Sequence, residues 1–167
     1  YPKIIRHLVY AYKLWQESRG ADINYALDPV SVGVPAMLVA KLRRTNFIVR
    51  LGGDYAWEQG RLRFGLTASL DEYTAGKSKR PLLVRFFRFL QISVVSRADR
   101  VVLPSEYLKT IVVTWGILPE RITVIYSALF PLPITESREV IRKRLSYEGV
   151  VLVTAARLTP WKGIDCI

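Results

Sequence analysis

Two basic residues near the end of the chain have the types and spacing to bind a diphosphate. Arg157 follows a predicted strand, Val150 to Ala155, and Lys162 comes five residues later beside Gly163, at the predicted start of a helix. The free amides and the positive dipole end of a helix N-terminus favour an anion. An arginine fork and a lysine point charge could then bracket two phosphates. The alternative is a solvated basic turn with a helix-starting glycine, and the spacing alone leaves both interpretations open.

A Gly-Gly pair followed by two carboxylates forms a second candidate site. Gly52 and Gly53 come directly after a predicted strand, Phe47 to Leu51, where glycine permits a positive φ or a close approach of the backbone to a ligand. Asp54 and Glu58 then bring two carboxylates to the cleft, where they could hydrogen-bond sugar hydroxyls. The aromatic residues that could stack on a sugar ring are Tyr55 and Trp57. The alternative is a tight turn before a helix whose first turn carries acids that complement its dipole.

The stretch from residue 77 to 100 is strongly basic, with seven Lys or Arg residues and one acid, Asp99. Its predicted helix, 82–96, is apolar except for a narrow stripe formed by Arg85, Arg88 and Gln91. Such a helix could lie against an anionic membrane surface. The alternative is a core helix with one solvated edge. Nucleic-acid binding is not expected, because aromatic residues would have to interleave with the basic ones on an exposed face, and the phenylalanines of this helix are predicted to be buried: Phe86, Phe87 and Phe89.

Short apolar strands that alternate with longer helices position these residues. The predicted strands are 21–27, 47–51, 99–105, 121–127 and 150–155, and residues 54–81 are predicted to be an irregular loop. This alternation indicates βαβ units, and hence an α/β, Rossmann-like fold with a parallel sheet covered by helices on both faces. Ligands of such sheets bind at the carboxyl ends of the strands. The segments predicted to lie there are 28–33, 52–58, 104–107 and 156–163.

The amino-acid composition limits the classes of function that the chain can have. The chain of 167 residues has 25 Lys and Arg against 14 Asp and Glu, a net charge of +11 that favours anionic partners. One cysteine and one histidine exclude an internal disulfide framework and a cysteine zinc site, so no metal is expected. No apolar run has the roughly 18 to 20 residues that span a bilayer. Because the chain begins without methionine and ends within a pattern, we expect an internal fragment of a longer protein.

The order of the elements resembles the middle of the GT-B glycosyltransferases of family 4. The segments that carry the resemblance are "ADRVVLPSEYLKTIVVTWGILPERITVIYSALF", a proline linker, and "VVLVTAARLTPWKGID". Members of that family have an "AD-strand-S" segment, a strand followed by "NGV" before the interdomain linker, and "G-R-L-x-x-x-K-G" in the second domain. The resemblance implies an N-terminal, acceptor-side domain at 1–130 that lacks its first strand, a linker at 131–137, and the start of the donor-binding domain at 138–167.

The activity implied by the resemblance is that of a hexosyltransferase-like enzyme. Such an enzyme moves a sugar from a nucleotide-diphosphate sugar to an acceptor and retains the anomeric configuration. By position, Arg157, Lys162 and Gly163 would hold the diphosphate of a UDP-, GDP- or ADP-sugar. Protein cations would stabilise the charge on the leaving group, so that no metal or other cofactor is obligatory.

On the acceptor side, the resemblance implies that the loop after the strand at 47–51 faces the acceptor and the reacting sugar. Gly52 and Gly53 would then take part in binding, and Asp54 and Glu58 in catalysis. The chain departs from the family in this loop, where many members have a histidine. It also has Ser127-Ala128-Leu129 in place of the usual Asn-Gly-Val. The family's first strand and its downstream acidic motif lie outside the chain, so we expect the fragment alone to be inactive.

Two other classes of function stay open at this stage. A nucleotide-sugar epimerase or a phosphorylase-like enzyme would keep the fold and change the chemistry. A non-enzymatic basic module would bind an anionic polymer or a membrane surface. For the transferase, the expected partners are a nucleotide-sugar and a glycan or lipid-linked acceptor, without nucleic acid. The expected setting is glycan, glycolipid or polysaccharide biosynthesis in the cytoplasm, with peripheral contact to the cytoplasmic face of an anionic membrane.

Overall fold

A computed structural model describes residues 3–129, 133 and 135–164, without the side chains of residues 3, 4 and 160. The chain forms two compact units, residues 1–126 and 127–167. The division at residue 126 falls a few residues before the linker expected at 131–137, and the domain boundaries inferred from the sequence stay a prediction.

The first unit is built on one sheet of four parallel strands in the order β1-β2-β3-β4. The strands are β1 (Ile23–Ala26), β2 (Asn46–Arg50), β3 (Arg100–Leu103) and β4 (Ile122–Val124). Near their carboxyl ends, the paired residues are Ala26–Val49, Arg50–Val102 and Leu103–Val124. Helices flank the sheet, so the predicted α/β, Rossmann-like fold is confirmed.

Six helices accompany this sheet. They are α1 (Lys3–Glu17), α2 (Gly33–Arg43), α3 (Tyr55–Arg63), α4 (Leu70–Thr74), α5 (Leu82–Arg97) and α6 (Glu106–Val113). A 3-10 turn, Pro119–Arg121, precedes β4. The crossover from β2 to β3 therefore contains three helices in succession, and the longest of them is α5.

The prediction that residues 54–81 form an irregular loop is wrong, because α3 and α4 lie there. Helix α4 begins with a capping box, in which Ser69 Oγ accepts from the Glu72 amide and Glu72 Oε2 accepts from the Ser69 amide. Helix α3 packs closely on α5 at Gly60, where an added Cβ would lie 2.9 Å from Leu66 and 3.4 Å from Val84. Caps and tertiary packing thus stabilise two helices that have no helical period of apolar residues.

The core surrounds the two central strands. Val101 and Val102 of β3 are both buried, and because consecutive strand residues point to opposite faces, both faces of the sheet are covered here. Asp99 joins the end of the crossover to β2, since Asp99 N donates to Phe47 O at 2.8 Å and Asp99 Oδ2 accepts from Phe47 N at 2.7 Å. These contacts hold the crossover against the strand that carries the candidate site.

The second unit contains α7 (Arg138–Leu145), which follows its N-cap Ser137. The prediction of a fifth strand at Val150–Ala155 is wrong, because these residues pair with no strand and the side chains of Val150 and Val153 are exposed. A buried strand needs neighbouring strands to satisfy its amides and carbonyls. The described residues of this unit provide no such neighbour.

Candidate functional site

Three of the four predicted strand-end segments meet at one edge of the sheet. Residues 28–33, 52–58 and 104–107 follow β1, β2 and β3, and parallel strands place their carboxyl ends at the same edge. Residues 156–163 belong to the second unit and follow no strand in the described part of the chain. Among the four strands of the described part of the chain, the order has no reversal that would open a crevice. The loops and the helices behind them must therefore shape this edge.

Asp54 is the N-cap of α3 and is buried, with 1% of its surface exposed. Its Oδ1 accepts hydrogen bonds from the Trp57 amide at 3.0 Å and from Gln91 Nε2 at 2.9 Å. Gln91 is itself fully buried on α5, and its Oε1 accepts from the Ala56 amide at 3.0 Å. One glutamine thus ties both the carboxylate and the first turn of α3 to α5. This is the helix-cap geometry of the alternative interpretation, and a catalytic role for Asp54 stays a prediction.

Arg88 supplies a positive charge to the same buried region. Its Nη1 lies 3.9 Å from Asp54 Oδ2, and its guanidinium carbon lies 5.5 Å from the centre of the Tyr73 ring and 5.9 Å from that of Trp115. At such distances an aromatic face attracts a cation. Together with Gln91, these residues form what we call the Asp54 cluster. Its members are Asp54, Tyr73, Arg88, Gln91 and Trp115.

Several buried polar atoms of the Asp54 cluster have no hydrogen-bond partner within the described residues. They are Asp54 Oδ2, the Tyr73 hydroxyl, Arg88 Nη1 and Trp115 Nε1. Buried polar atoms normally have a partner, because an unsatisfied one costs about 1–3 kcal/mol. The cluster therefore combines a carboxylate and a cation with unused hydrogen-bonding capacity, at the end of the strand that the sequence singled out.

Burial is the main cause of the pKa shifts in this cluster. It raises the pKa of the Asp54 carboxyl above its ordinary value, against the lowering effects of the Trp57 amide, of Gln91 and of the Arg88 charge. Burial, helped by the negative charge of Asp54, also raises the pKa of Tyr73 to about 12. Both shifts have the same physical cause, since a low-dielectric interior penalises the charged form of an acid.

The glycines and Glu58 stand apart from the buried cluster. Neither Gly52 nor Gly53 has a positive φ, so the expected left-handed conformation is absent at both positions. The close approach occurs within the loop itself, because a Cβ at Gly53 would lie 2.6 Å from Glu58 Oε1. Gly52 has open space where a side chain would stand. Glu58 is partly exposed in the first turn of α3 and is the predicted carboxylate with access to solvent.

The two aromatic residues expected to stack on a sugar ring make packing contacts within the protein. Trp57 is buried, and its Nε1 donates to Ala68 O at 3.0 Å. Tyr55 packs edge-on against Phe87, with ring centres 5.7 Å apart. Trp57 therefore offers no open ring face, and only the partly exposed Tyr55 could touch a ligand.

Gln91 and Arg88 were not among the residues predicted for the site, although both belong to the polar stripe of the predicted apolar helix. Arg85 of that stripe is exposed, but Gln91 is buried and the Arg88 side chain is only 18% exposed. A signal was present, because polar residues three positions apart on an otherwise apolar helix share one face. That face points inward at Arg88 and Gln91. Tyr73 had no comparable signal.

The predicted diphosphate residues lie in the second unit. Arg157 and Lys162 are both exposed. Thr159 links them, since its amide donates to Arg157 O at 2.8 Å and its carbonyl accepts from the Lys162 amide at 2.9 Å. Gly163 ends a 3-10 turn, Pro160–Lys162, with a left-handed φ of 61°. The helix expected to begin at Lys162 and Gly163 would extend into residues 165–167, which lie outside the described residues. That helix and the binding role of the three residues therefore stay predictions.

A groove of about 440 Å³ opens between α3 and the start of α5, and its wall includes Phe64, Glu72, Lys77, Lys79 and Pro81.

Among the described residues, no group of three or more His, Cys, Asp or Glu side chains could hold a metal ion. A bilayer-spanning helix does not occur in the described part of the chain, whose helices lack the length and apolar character for it.

Residues 2–128 match the family model of the glycosyl transferase 4-like domain. Because this match covers about three quarters of the 167 residues, the chain belongs to that family. No curated protein and no solved structure matches the chain. The matched range contains the whole sheet and the Asp54 cluster, and it ends before Arg157. The resemblance inferred from the sequence is thus confirmed, and with it glycosyl transfer in general, between a sugar donor and an acceptor.

Proposed function

We propose that the full-length protein transfers a sugar from a nucleotide-diphosphate sugar to an acceptor with retention of the anomeric configuration. The observation that carries the proposal is the family match over residues 2–128. The donor is a UDP-, GDP- or ADP-sugar, and the product belongs to glycan, glycolipid or polysaccharide biosynthesis. No metal or other cofactor is obligatory, because protein cations stabilise the leaving diphosphate.

On the donor side, we assign the diphosphate to Arg157, Lys162 and Gly163. Both cations are exposed and separated by one short turn, and exposed cations can reach an incoming anion. The planar guanidinium provides paired N–H donors, and the ammonium provides a point charge. A glycine at the end of the turn leaves the backbone uncovered for a close approach.

On the acceptor side, we assign different roles to the two carboxylates. Glu58 is partly exposed beside Gly53 and acts on the acceptor or the reacting sugar. Asp54 is buried and accepts two hydrogen bonds through Oδ1, so it acts by holding the Gly52–Gly53 loop and the first turn of α3 in place. A buried, hydrogen-bonded group of this kind orients the residues that make contact with the substrate.

We also place the protein in the cytoplasm, in peripheral contact with an anionic membrane. A net charge of +11 supports this placement, since a basic protein is attracted to the negative surface of the cytoplasmic leaflet. A lipid-linked acceptor would then be presented at the surface to which the enzyme is bound.

Thermal unfolding in the presence of nucleotide-sugars tests the donor side. The full-length gene product should show a higher Tm with one of the UDP-, GDP- or ADP-sugars, because a ligand that binds only the folded state stabilises it. Lys162→Ala should abolish this rise. Lys143→Ala is the matched control, since Lys143 is an exposed lysine of the same unit. A rise that survives Lys162→Ala would remove Lys162 from the donor site, and no rise with any donor would contradict the proposal.

Transfer kinetics with the donor identified in this way test the acceptor side. Glu58→Gln should lower kcat by roughly 100-fold, which is typical for the loss of a positioned carboxylate, and leave donor binding unchanged. Glu120→Gln is the control, because Glu120 is an exposed acid in the 3-10 turn before β4, at the opposite edge of the sheet. Asp54→Asn should reduce transfer more than donor binding. A product formed without any acceptor would identify an epimerase instead.

A further inference from the structure

The outer face of α5 is apolar, although a helix that packs on a sheet normally turns polar residues to solvent. Leu82, Phe86 and Phe89 follow at intervals of four and three residues, so they form one stripe along the helix. They are 79%, 52% and 66% exposed, and the adjacent Leu83 is 53% exposed. We call these four residues the α5 outer face. The prediction that Phe86 and Phe89 are buried is wrong.

Packing on the opposite side fixes which face of α5 looks outward. The side chains buried against the rest of the unit are Val84, Gln91, Val94 and Val95. Phe87, between the two faces, contacts the rings of Tyr55 at 5.7 Å and Phe64 at 6.2 Å, and Phe86 lies 6.2 Å from it. These contacts hold the helix in one orientation, so the exposed stripe is a feature of the packed unit.

Positive charge surrounds the α5 outer face. Lys77 and Lys79 are exposed immediately before the helix, and Arg85 is exposed along it. No Asp or Glu occurs between Glu72 and Asp99 in the sequence. The two lysines also line the groove of about 440 Å³, where they face one carboxylate, that of Glu72. Exposed aromatic and aliphatic residues beside lysines are complementary to a bilayer with anionic headgroups.

We propose that the α5 outer face docks the protein on an anionic membrane surface. The apolar stripe enters the boundary between headgroups and acyl chains, and Lys77 and Lys79 bind the headgroup phosphates. The groove next to the lysines gives one headgroup room to settle against them. This assignment rests on the membrane contact proposed above. It requires neither a sugar donor nor an acceptor.

Co-flotation with vesicles tests the docking surface on the purified full-length protein. Vesicles of phosphatidylcholine with 30% phosphatidylglycerol should bind it, and pure phosphatidylcholine vesicles should bind at least about tenfold less, because anionic lipid provides the attraction. Phe86→Ser/Phe89→Ser should weaken binding at least about tenfold. Lys77→Gln/Lys79→Gln should weaken it roughly 30-fold at low salt, since each basic residue near the surface contributes about a fivefold factor.

Two matched controls test whether vesicle binding depends on the α5 outer face itself, and not on exposed apolar side chains or positive charge at other positions. Leu42→Ser/Leu118→Ser removes exposed apolar side chains elsewhere on the same unit. Lys13→Gln/Lys143→Gln removes two exposed lysines that belong to α1 and α7. Vesicle binding by either control should stay within about threefold of the wild type. Tryptophan fluorescence and Tm should be unchanged in all variants, because every substituted side chain is at the surface.

Three results would overturn the proposal. The first is no preference for anionic vesicles, and the second is unchanged binding by the phenylalanine variant. The third is a concentration-dependent dimer that the phenylalanine variant dissolves, without vesicle binding, which would assign the face to a second copy of the chain. The donor-dependent rise in Tm is measured without lipid, so failure of the docking proposal and failure of the transferase proposal give different results.

Discussion

Replacing Gln91 by leucine should destabilise the first unit far more than a surface glutamine-to-leucine change. Leucine has a similar size and suits a buried position, but it makes neither of the two hydrogen bonds of Gln91. Asp54 Oδ1 would lose the bond from Gln91 Nε2 at 2.9 Å, and the Ala56 amide would lose its acceptor at 3.0 Å. The bonds lost are therefore one to a carboxylate and one between neutral groups.

The magnitude follows from these two bonds. A hydrogen bond to a charged group contributes about 1.5–3 kcal/mol, and a neutral one about 0.5–1.5 kcal/mol. Gln91→Leu should therefore lower the free energy of unfolding by about 2–4.5 kcal/mol at pH 8. The loss should be smaller at pH 5, because the pKa of Asp54 is raised by burial and a protonated carboxyl binds Gln91 less strongly.

Urea unfolding followed by tryptophan fluorescence measures this loss, since Trp57 and Trp115 are buried in the first unit. Gln16→Leu is the matched control, because Gln16 is exposed on α1 and its side-chain amide donates to the Tyr12 hydroxyl on the same helix. Its free energy of unfolding should stay within about 0.5 kcal/mol of the wild type. A loss below about 1 kcal/mol for Gln91→Leu would refute the inference that Gln91 secures Asp54 and α3.

Gln91→Glu separates the role of charge from that of shape. At pH 8 a second carboxylate would lie about 2.9 Å from the first, where Nε2 now stands. Like charges raise each other's pKa. A carboxyl with a raised folded-state pKa stabilises the fold at low pH, and this stabilisation is lost as the pH rises. The variant should therefore recover much of its deficit between pH 8 and pH 5, and a deficit independent of pH would show that repulsion is not its cause.

Two further predictions concern the Asp54 cluster. Arg88→Met removes the cation that lowers the pKa of Asp54, so its deficit in unfolding free energy should grow from pH 5 to about 3 kcal/mol at pH 8. Arg85→Met, on an exposed part of the same helix, should show no such trend. Tyr73→Phe should change the unfolding free energy by less than about 1 kcal/mol, because the hydroxyl has no hydrogen-bond partner within the described residues. A loss above about 2 kcal/mol would reveal a partner such as a buried water.

The sheet and the long helices could be predicted because local pattern and tertiary burial agree there. Val101 to Leu103 form a continuous apolar run, as a central parallel strand requires. In contrast, α3 has a glycine at position 60 and no apolar period. Its packing against α5 depends on contacts between distant positions, such as that of Gly60 with Val84, which is 24 positions further along the chain. A signal for α4 was present in the Ser69 and Glu72 capping box and was missed.

The contact between Asp54 and Gln91 joins two distant parts of the chain, and a local sequence pattern carries no information about such a contact. The sequence shows Asp54 after a strand and Gln91 on a helix, but not that the fold brings together these two side chains, which are 37 positions apart in the chain. The prediction of a fifth strand was wrong for the opposite reason, because there the local pattern was present and the tertiary partner was not. Val150 to Ala155 has the composition of a buried strand, yet the described residues of its unit supply no strand to pair with it.

Helix α5 carries both the support of the candidate site and the proposed membrane face, on opposite sides. Gln91 points into the protein, and Phe89, two residues earlier, points out of it. Distinct faces without a shared partner should behave additively. We therefore expect Phe86→Ser/Phe89→Ser to leave the unfolding free energy within about 0.5 kcal/mol of the wild type, and Gln91→Leu to leave vesicle binding unchanged below the denaturation midpoint. If Gln91→Leu weakens vesicle binding while the unit stays folded, the two faces are coupled through the orientation of α5. Membrane binding would then affect the position of Asp54 through α5.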